Sequence, residues 1–126
     1  MDMKILIVDD ERDVETLFRQ KFRKEIRSKK LMLDFAFSGQ EALDLLQHQD
    51  PPEVVYVFSD INMPGMTGLE LLEHIKRKFP SISVSMISAY GDKENYNRAM
   101  DSGAKEFFTK PINFESLRKE IATLIN

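Results

Sequence analysis

Apolar residues form two kinds of pattern along the chain: short unbroken runs, and longer stretches in which they recur every third or fourth position. The runs in Lys4–Val8 and Val54–Phe58 predict strands that are buried on both faces. Residues 31–37 instead alternate large apolar side chains with other residues, which predicts a strand with one less buried face. Two further strands are predicted at 82–88 and 106–109.

The stretches with a spacing of three and four residues predict five helices, one after each strand. Capping signals mark where several of them begin. Ser38 and Glu41 have the spacing of a capping box, and so do Thr67 and Glu70. Asn113 is a suitable N-cap for the last helix. Strands that alternate with helices predict an α/β fold with a parallel sheet covered on both faces.

The order of the strands follows from their burial patterns. The first, third and fourth strands are continuously apolar, as central strands are, whereas the second alternates and the fifth is short, as edge strands are. This predicts the order 2-1-3-4-5 of a doubly wound, flavodoxin-like sheet. The 126 residues are a usual length for one domain, so we expect a single domain over residues 1–126.

Composition narrows the classes of function. The chain has 18 Lys and Arg against 21 Asp and Glu, a net charge of −3, and no Cys, which excludes disulfides, thiol nucleophiles and cysteine metal sites. A slightly acidic chain gives no general reason to expect direct binding to nucleic acid or to an anionic membrane. The longest apolar run, Val54–Phe58, is far shorter than a membrane span, and the N-terminus lacks a secretory pattern. We therefore expect a cytoplasmic protein.

Polar residues follow four of the five predicted strands. They are Asp9 and Asp10 after the first, Asp60 after the third, Ser88 after the fourth and Lys110 after the fifth. Because the carboxyl ends of parallel strands meet at one edge of the sheet, these side chains should converge there. Three carboxylates and one ammonium leave two excess negative charges, which one divalent cation would neutralise. Oxygen ligands without imidazole favour Mg²⁺, and Mg²⁺ favours phosphate chemistry.

Within this group, Asp60 is the candidate nucleophile. The loop beyond it can leave its carboxylate open to a phosphoryl group, and carboxylates act as nucleophiles in the formation of aspartyl phosphates. Lys110 and the metal would neutralise the oxygens of the phosphoryl group, and Ser88 can donate one more hydrogen bond to it. Asp60, Lys110 and Ser88 are therefore the candidate catalytic residues.

Four motifs together resemble the receiver domain of two-component response regulators, and the resemblance runs from Lys4 to about Leu124. The motifs are Val8-Asp9-Asp10-Glu11, Asp60-Ile61-Asn62-Met63-Pro64-Gly65, Ser88-Ala89-Tyr90 and Lys110-Pro111. The resemblance implies a switch in phosphorelay signalling that catalyses only its own phosphorylation and dephosphorylation. It also implies a histidine kinase or phosphotransfer protein as phosphoryl donor, and a downstream effector protein or a fused output domain as the target.

The resemblance assigns roles to individual residues of the site. Asp60 would be the phosphoacceptor. Asp9, Asp10 and Asp60 would hold Mg²⁺. The backbone carbonyl of Asn62 would be a further ligand of the metal, and Lys110 would contact the phosphoryl group.

Other residues match positions that are linked to switching. Ser88 and Phe107 stand where a hydroxyl and an aromatic ring rearrange on activation, although Thr and Tyr are common there. Asn62 and Tyr90 occupy variable positions that tune the lifetime of the phosphoryl group. The peptide bond before Pro111 would be cis.

We expect phosphorylation to shift the population of two arrangements. Ser88 and Lys110 would move toward the phosphoryl group, and the aromatic switch residue would turn into the space they leave. The surface of the fourth helix, the fifth strand and the fifth helix would change, and it could bind a partner or pair two copies as a homodimer. Tyr96, Phe108 and Phe114, in or near this surface, either mark a partner site or pack the helices onto the sheet.

Three other functions are compatible with the same fold. A flavodoxin should carry a hydroxyl- and glycine-rich loop after the first strand to cradle phosphate, whereas Asp9-Asp10-Glu11 would repel it. A Mg²⁺-dependent small-molecule phosphatase usually needs a second acid two residues after the nucleophile, where this chain has Asn62. A degenerate receiver that acts only as an interaction scaffold would not need the complete acidic set.

Two lesser signals concern basic residues and histidines. Residues 12–30 hold eight of the 18 Lys and Arg, which favours the solvated side of an amphipathic helix over a nucleic-acid surface. By resemblance, the first helix is also where kinases dock. His48 and His74 fall on predicted helices without a third metal ligand, so we expect surface residues. The chain could be a stand-alone receiver or part of a longer protein.

Overall fold

The computed structural model describes residues 3–49, 53–89 and 93–125. Its sheet has five strands: β1 (Met3–Val8), β2 (Leu31–Ala36), β3 (Val54–Asp60), β4 (Ser83–Ser88) and β5 (Phe107–Thr109). Neighbouring strands are all parallel, and their order is β2-β1-β3-β4-β5. The predicted class and strand order are therefore confirmed.

The described residues form six helices rather than five. They are α1 (Asp13–Lys21), α2 (Arg23–Arg27), α3 (Gly39–Gln47), α4 (Gly68–Lys78), α5 (Lys93–Asp101) and α6 (Phe114–Ile125). The difference from the prediction lies at Phe22, whose backbone leaves the helical region at φ −109° and ψ 23°. The break keeps the ring of Phe22 buried and stacked on Phe18, with 6.1 Å between ring centres. Packing in the core thus divides a segment whose apolar spacing is continuous.

The core consists of two apolar layers, one on each face of the sheet. In β1, Ile5 and Ile7 point into one layer and Leu6 and Val8 into the other, which is why this strand has no polar alternation. The first layer lies under α1, α2 and α6 and the second under α3, α4 and α5. This arrangement is the doubly wound architecture that the alternating pattern predicts.

The predicted N-caps are present, and the complete capping box forms at Thr67. Thr67 and Glu70 make both hydrogen bonds of a capping box, over 3.0 and 3.2 Å. Ser38 Oγ accepts from the N–H of Glu41 over 3.1 Å, and Asn113 Oδ1 accepts from two N–H groups in the first turn of α6. These caps determine where the helices start relative to the strand ends. Within the described residues, none of the helices is long and apolar enough to cross a bilayer.

Candidate functional site

The carboxyl ends of three strands bring two acids and one lysine together. Asp9 follows β1, Asp60 ends β3 and Lys110 follows β5. Nζ of Lys110 lies 3.3 Å from Oδ2 of Asp9 and 3.4 Å from Oδ2 of Asp60, so one ammonium bridges two carboxylates. Asp9 and Asp60 are each only 6% exposed, while Asp10 beside them is exposed. We call Asp9, Asp10, Asp60 and Lys110 the acidic site.

Backbone hydrogen bonds hold the ends of these segments in register. The N–H of Asp9 donates to the carbonyl of Ala36 over 3.1 Å, which extends the pairing of β1 and β2 by one residue. The N–H of Lys110 donates to the carbonyl of Ser88 over 2.7 Å, which joins the end of β5 to the end of β4. In addition, Asp9 Oδ1 accepts from the N–H of Glu11 over 2.9 Å. The side chains of the site are thus positioned by the sheet itself.

Hydrogen bonds fix the backbone of Asp60 and of the residue that follows it. The carbonyl of Asp60 accepts from the hydroxyl of Ser59 over 3.0 Å. The next residue, Ile61, donates to the carbonyl of Ile87 over 3.1 Å and accepts from the N–H of Gly68 over 2.8 Å. A Cβ atom at Gly68 would lie 2.0 Å from the carbonyl oxygen of Asp60, closer than atoms can approach. Only glycine therefore allows α4 to begin directly against the Asp60 backbone.

Sequence reasoning did not assign a role to Gly68. The signal that could have found it is its place in the chain, as a glycine directly after the N-cap Thr67 and close to Asp60. Thr67 alone explains where the helix begins. The close approach to Asp60 depends on how α4 meets β3, which no local pattern records.

Burial and neighbouring charges shift the pKa values of Asp60 and Lys110 in the acidic site. Burial raises the pKa of the Asp60 carboxyl, and the carboxylate of Asp9 raises it further, whereas Lys110 and the backbone N–H of Asn62 lower it without cancelling the rise. Burial alone would lower the pKa of Lys110, but the carboxylates of Asp60 and Asp9 outweigh it and hold that pKa above its usual value. Lys110 therefore stays charged, and one cation is not enough to compensate the carboxylates.

The acidic site has the donor set of a small divalent cation. Asp9, Asp10 and Asp60 each offer a carboxylate oxygen, and these three atoms lie within 4.8 Å of one another. Carboxylate oxygens are the ligands that Mg²⁺ prefers, and two positive charges would balance the three acids and one lysine. The residues present thus fit a bound Mg²⁺.

The structure describes most of the remaining predicted residues. Ser88 is buried at the end of β4, and Asn62 is exposed in the loop after Asp60. Phe107 is half-buried, and its ring meets the ring of Tyr96 edge-on at 5.5 Å. Tyr90, predicted to tune the phosphoryl lifetime, lies outside the described residues. The Lys110–Pro111 bond is cis.

Aromatic residues near the predicted switch surface divide into two groups. Phe108 packs on Phe58 at 6.0 Å, and Phe114 packs on Phe18 at 5.3 Å, so both belong to the core layer under α6. Tyr96 is 46% exposed on α5. Packing therefore accounts for Phe108 and Phe114 but not for the exposure of Tyr96.

The histidines and the basic segment take no part in the acidic site. His48 is exposed, with Nδ1 2.9 Å from the carbonyl of Asp44, and His74 is half-buried. The Arg12 guanidinium lies 4.2 Å above the ring of Phe37. In the parts of the chain that the structure describes, the only group of three or more acids, histidines or cysteines placed to hold a metal is the acidic site.

Comparisons with known proteins agree on one family. The family model described as the response regulator receiver domain matches residues 5–122. The chain is 35% identical over 124 residues to "Response regulator protein PilR" of Pseudomonas aeruginosa, covering 97% of this chain and 26% of that protein. It is 31% identical over 121 residues to "Sporulation initiation phosphotransferase F" of Bacillus subtilis, covering 96% of this chain and 92% of that protein.

The fold is likewise shared with solved receiver structures. A CheY-like receiver domain protein from Methanospirillum hungatei superimposes with a TM-score of 0.86 at 26% identity, over 99% of this chain and 94% of that chain. The chain spans 26% to 50% of the length of the first curated relatives that it matches. Together with the strand order and the acids at the strand ends, these matches show that the chain belongs to the response regulator receiver domain family of two-component systems.

Proposed function

We propose that this receiver domain, taken as one domain over residues 1–126, accepts a phosphoryl group on Asp60 in a Mg²⁺-dependent reaction. The observation that carries the proposal is the bridging of Asp9 and Asp60 by Lys110, with the carboxylate of the exposed Asp10 nearby. Two buried carboxylates that share one ammonium leave a site that attracts a divalent cation and, with it, a phosphoryl group. The donor is a phosphohistidine of a histidine kinase or of a phosphotransfer protein.

In the transfer, Asp60 is the nucleophile. One oxygen of its carboxylate forms a bond to phosphorus while the bond between phosphorus and the donor imidazole nitrogen breaks, and the electron pair stays on that nitrogen. The Lys110 ammonium neutralises charge on the phosphoryl oxygens, and the Ser88 hydroxyl donates to one of them. Asp9, Asp10, Asp60 and the backbone carbonyl of Asn62 would hold a Mg²⁺ ion, which would supply further neutralisation of those oxygens.

The phosphoryl group then changes the balance of forces at the strand ends. It adds about −1.5 to −2 charge and strong acceptors at Asp60, so Ser88 and Lys110 reorient toward it. Phe107, half-buried against Tyr96, turns inward, and the surface of α5, β5 and α6 favours its second arrangement. Asn62 and Tyr90 tune how long the phosphoryl group survives.

In this role the domain is a signalling switch rather than an enzyme that acts on a separate substrate. Its partners are the phosphoryl donor and a downstream effector protein or a fused output domain, and the surface of α5, β5 and α6 can also pair two copies. The name of the Bacillus subtilis relative, a phosphotransferase of sporulation initiation, supports a place in a phosphorelay. We propose a cytoplasmic location and no direct binding of nucleic acid or membrane.

Acetyl phosphate with Mg²⁺ tests the assignment of Asp60. The intact mass should rise by about 80 Da, the size of one phosphoryl group. Asp60→Asn should abolish the adduct, whereas Asp101→Asn, which removes an exposed acid from α5, should form it normally. An adduct that persists in Asp60→Asn would reject the assignment. No adduct on the unchanged chain would favour a degenerate receiver, and steady release of phosphate from a generic ester would favour a phosphatase.

A further inference from the structure

A second group of polar side chains lies in the interior, on the face of the sheet that α6 covers, and the proposed function does not use it. We call it the Tyr56 cluster; its members are Tyr56 in β3, Ser85 in β4, Glu120 in α6 and Lys105 just before β5. Tyr56 and Ser85 are completely buried. Their hydroxyl groups are hydrogen-bonded to each other, and Ser85 Oγ also accepts from the N–H of Glu106 over 3.1 Å.

Glu120 brings a negative charge to this cluster from α6. Its side chain is only 12% exposed, and Oε1 lies 2.7 Å from Nζ of Lys105. The same ammonium lies 5.4 Å from the centre of the Tyr56 ring. Burial raises the pKa of the Tyr56 hydroxyl, Ser85 lowers it and nearby Glu120 raises it, so the hydroxyl keeps its proton. The Lys105 ammonium, paired with Glu120 and placed over the Tyr56 ring, therefore connects α6 to β3 and to the segment that enters β5.

The two ends of β5 are held by different groups. Before the strand begins, the N–H of Lys105 donates to the carbonyl of Val84 over 2.7 Å, and the next N–H donates into the Tyr56 cluster. After the strand ends, the N–H of Lys110 donates to the carbonyl of Ser88 over 2.7 Å. The side chains of Lys110 and Ser88 both belong to the proposed phosphorylation chemistry. Among the described residues, it is therefore the carboxyl end of β5 that is connected directly to Asp60.

The two helices that flank β5 are also attached to the core unequally. In α6, Leu117 and Ile121 are buried, and Arg118 donates to the backbone carbonyl of Lys21 over 2.6 Å. In α5, Ala99 is the one fully buried residue among those described. Tyr96 of α5 contributes the edge-on contact with the half-buried Phe107. Fewer buried contacts mean a lower free energy of local opening, so α5 is the more easily displaced helix.

We infer that the Tyr56 cluster fixes α6 and the beginning of β5, so that the switch is confined to α5 and the carboxyl end of β5. This inference rests on the proposed function and narrows its surface: a partner that distinguishes the phosphorylated state does so through α5 and β5. Here a groove of about 470 Å³ is lined by Tyr96, Phe107 and Thr109, among others. α6 serves as a fixed support with the same position in both states. Tyr56 and Glu120 are positioning residues for this support.

Amide hydrogen exchange of the full chain, with Mg²⁺ and with or without beryllofluoride, tests the inference. In the unchanged chain, beryllofluoride should alter exchange in α5 and at 107–110 and leave α6 unaltered. Tyr56→Phe removes one buried hydroxyl and keeps the ring, so exchange in α6 should accelerate about tenfold, and α6 should now respond to beryllofluoride. Tyr96→Phe, which removes an exposed hydroxyl from α5, is the matched control and should leave α6 as it was.

Glu120→Gln provides a second route, because it keeps the shape of the side chain and removes its charge pairing with Lys105. If beryllofluoride alters amide exchange in α6 of the unchanged chain as strongly as it does in α5, the inference is overturned. Unchanged α6 exchange in both Tyr56→Phe and Glu120→Gln would overturn it as well. The acetyl phosphate adduct is measured in parallel on the unchanged chain: its absence rejects the proposed function, whereas its presence with a responsive α6 rejects only the fixed support.

Discussion

The acidic site and the Tyr56 cluster are two polar groups on the same sheet, and they differ in charge balance. In the acidic site, two buried carboxylates share one ammonium, and Asp10 adds a third acid at the surface. In the Tyr56 cluster, the carboxylate of Glu120 pairs with the ammonium of Lys105, and the two hydroxyl groups are hydrogen-bonded to each other. A polar group with excess charge needs a ligand, whereas a balanced one stabilises the fold.

The largest expected effect is on the rate of adduct formation, and it distinguishes Lys110 from Lys105. Lys110→Met removes the ammonium that the carboxylates share, so the rate of acetyl phosphate adduct formation should fall about 10²–10³-fold. Lys105→Met removes the corresponding ammonium of the Tyr56 cluster and should leave that rate nearly unchanged while lowering the melting temperature. Rates from intact mass and melting curves by circular dichroism give both quantities. Equal loss of rate in the two variants would contradict the distinction.

A second contrast concerns backbone placement, on which the acidic site depends. Gly68→Ala places a Cβ atom 2.0 Å from the Asp60 carbonyl, so α4 or Asp60 must move. A displacement of this kind should slow adduct formation on the order of 10²-fold. Gly39→Ala is the matched control, because the atoms nearest to its Cβ, at 2.7 and 3.0 Å, belong to the side chain of Met66 rather than to backbone. A normal rate in a folded Gly68→Ala would show that the close approach is dispensable.

Metal binding should stabilise the protein through the acidic site only. Mg²⁺ at ten times its Kd should raise the free energy of unfolding by about 1.4 kcal/mol, since it binds the folded state alone. Urea titrations with Mg²⁺ and with EDTA measure this difference. It should vanish in Asp10→Asn and persist in Tyr56→Phe, whose stability falls by about 1–3 kcal/mol in both conditions. A Mg²⁺ effect that survives Asp10→Asn would place the metal elsewhere.

The smallest effect concerns the dependence of stability on pH without metal. The pKa of Asp60 is raised in the folded protein, so the folded state holds this proton more tightly than the unfolded state does. Its contribution to stability is therefore lost as the pH rises from the unfolded value of 3.8 through the raised folded value. In EDTA at pH 7, Asp60→Asn should have a higher melting temperature than the unchanged chain, and the two melting temperatures should converge in acid. A lower melting temperature for Asp60→Asn at pH 7 would contradict this sign.

Much of the fold and the candidate site follows from the sequence. Unbroken and alternating apolar runs predict the strands and their order, because burial on one or two faces leaves a local record in the pattern. The N-cap hydrogen bond at Ser38 and the capping box at Thr67 are equally local, since each joins residues three positions apart. Asp9, Asp60 and Lys110 could be placed together because parallel strands end at the same edge of the sheet.

Only the tertiary structure decided the features that depend on how distant segments meet. Phe22 divides the first helix because its ring has to pack on the core. Gly68 is required by the carbonyl of Asp60 rather than by its own helix. Tyr56 and Glu120 lie 64 positions apart and in isolation resemble an ordinary strand aromatic and an ordinary helix acid. Local patterns record how much of a side chain is buried, but the partner it meets depends on the packing of the whole chain.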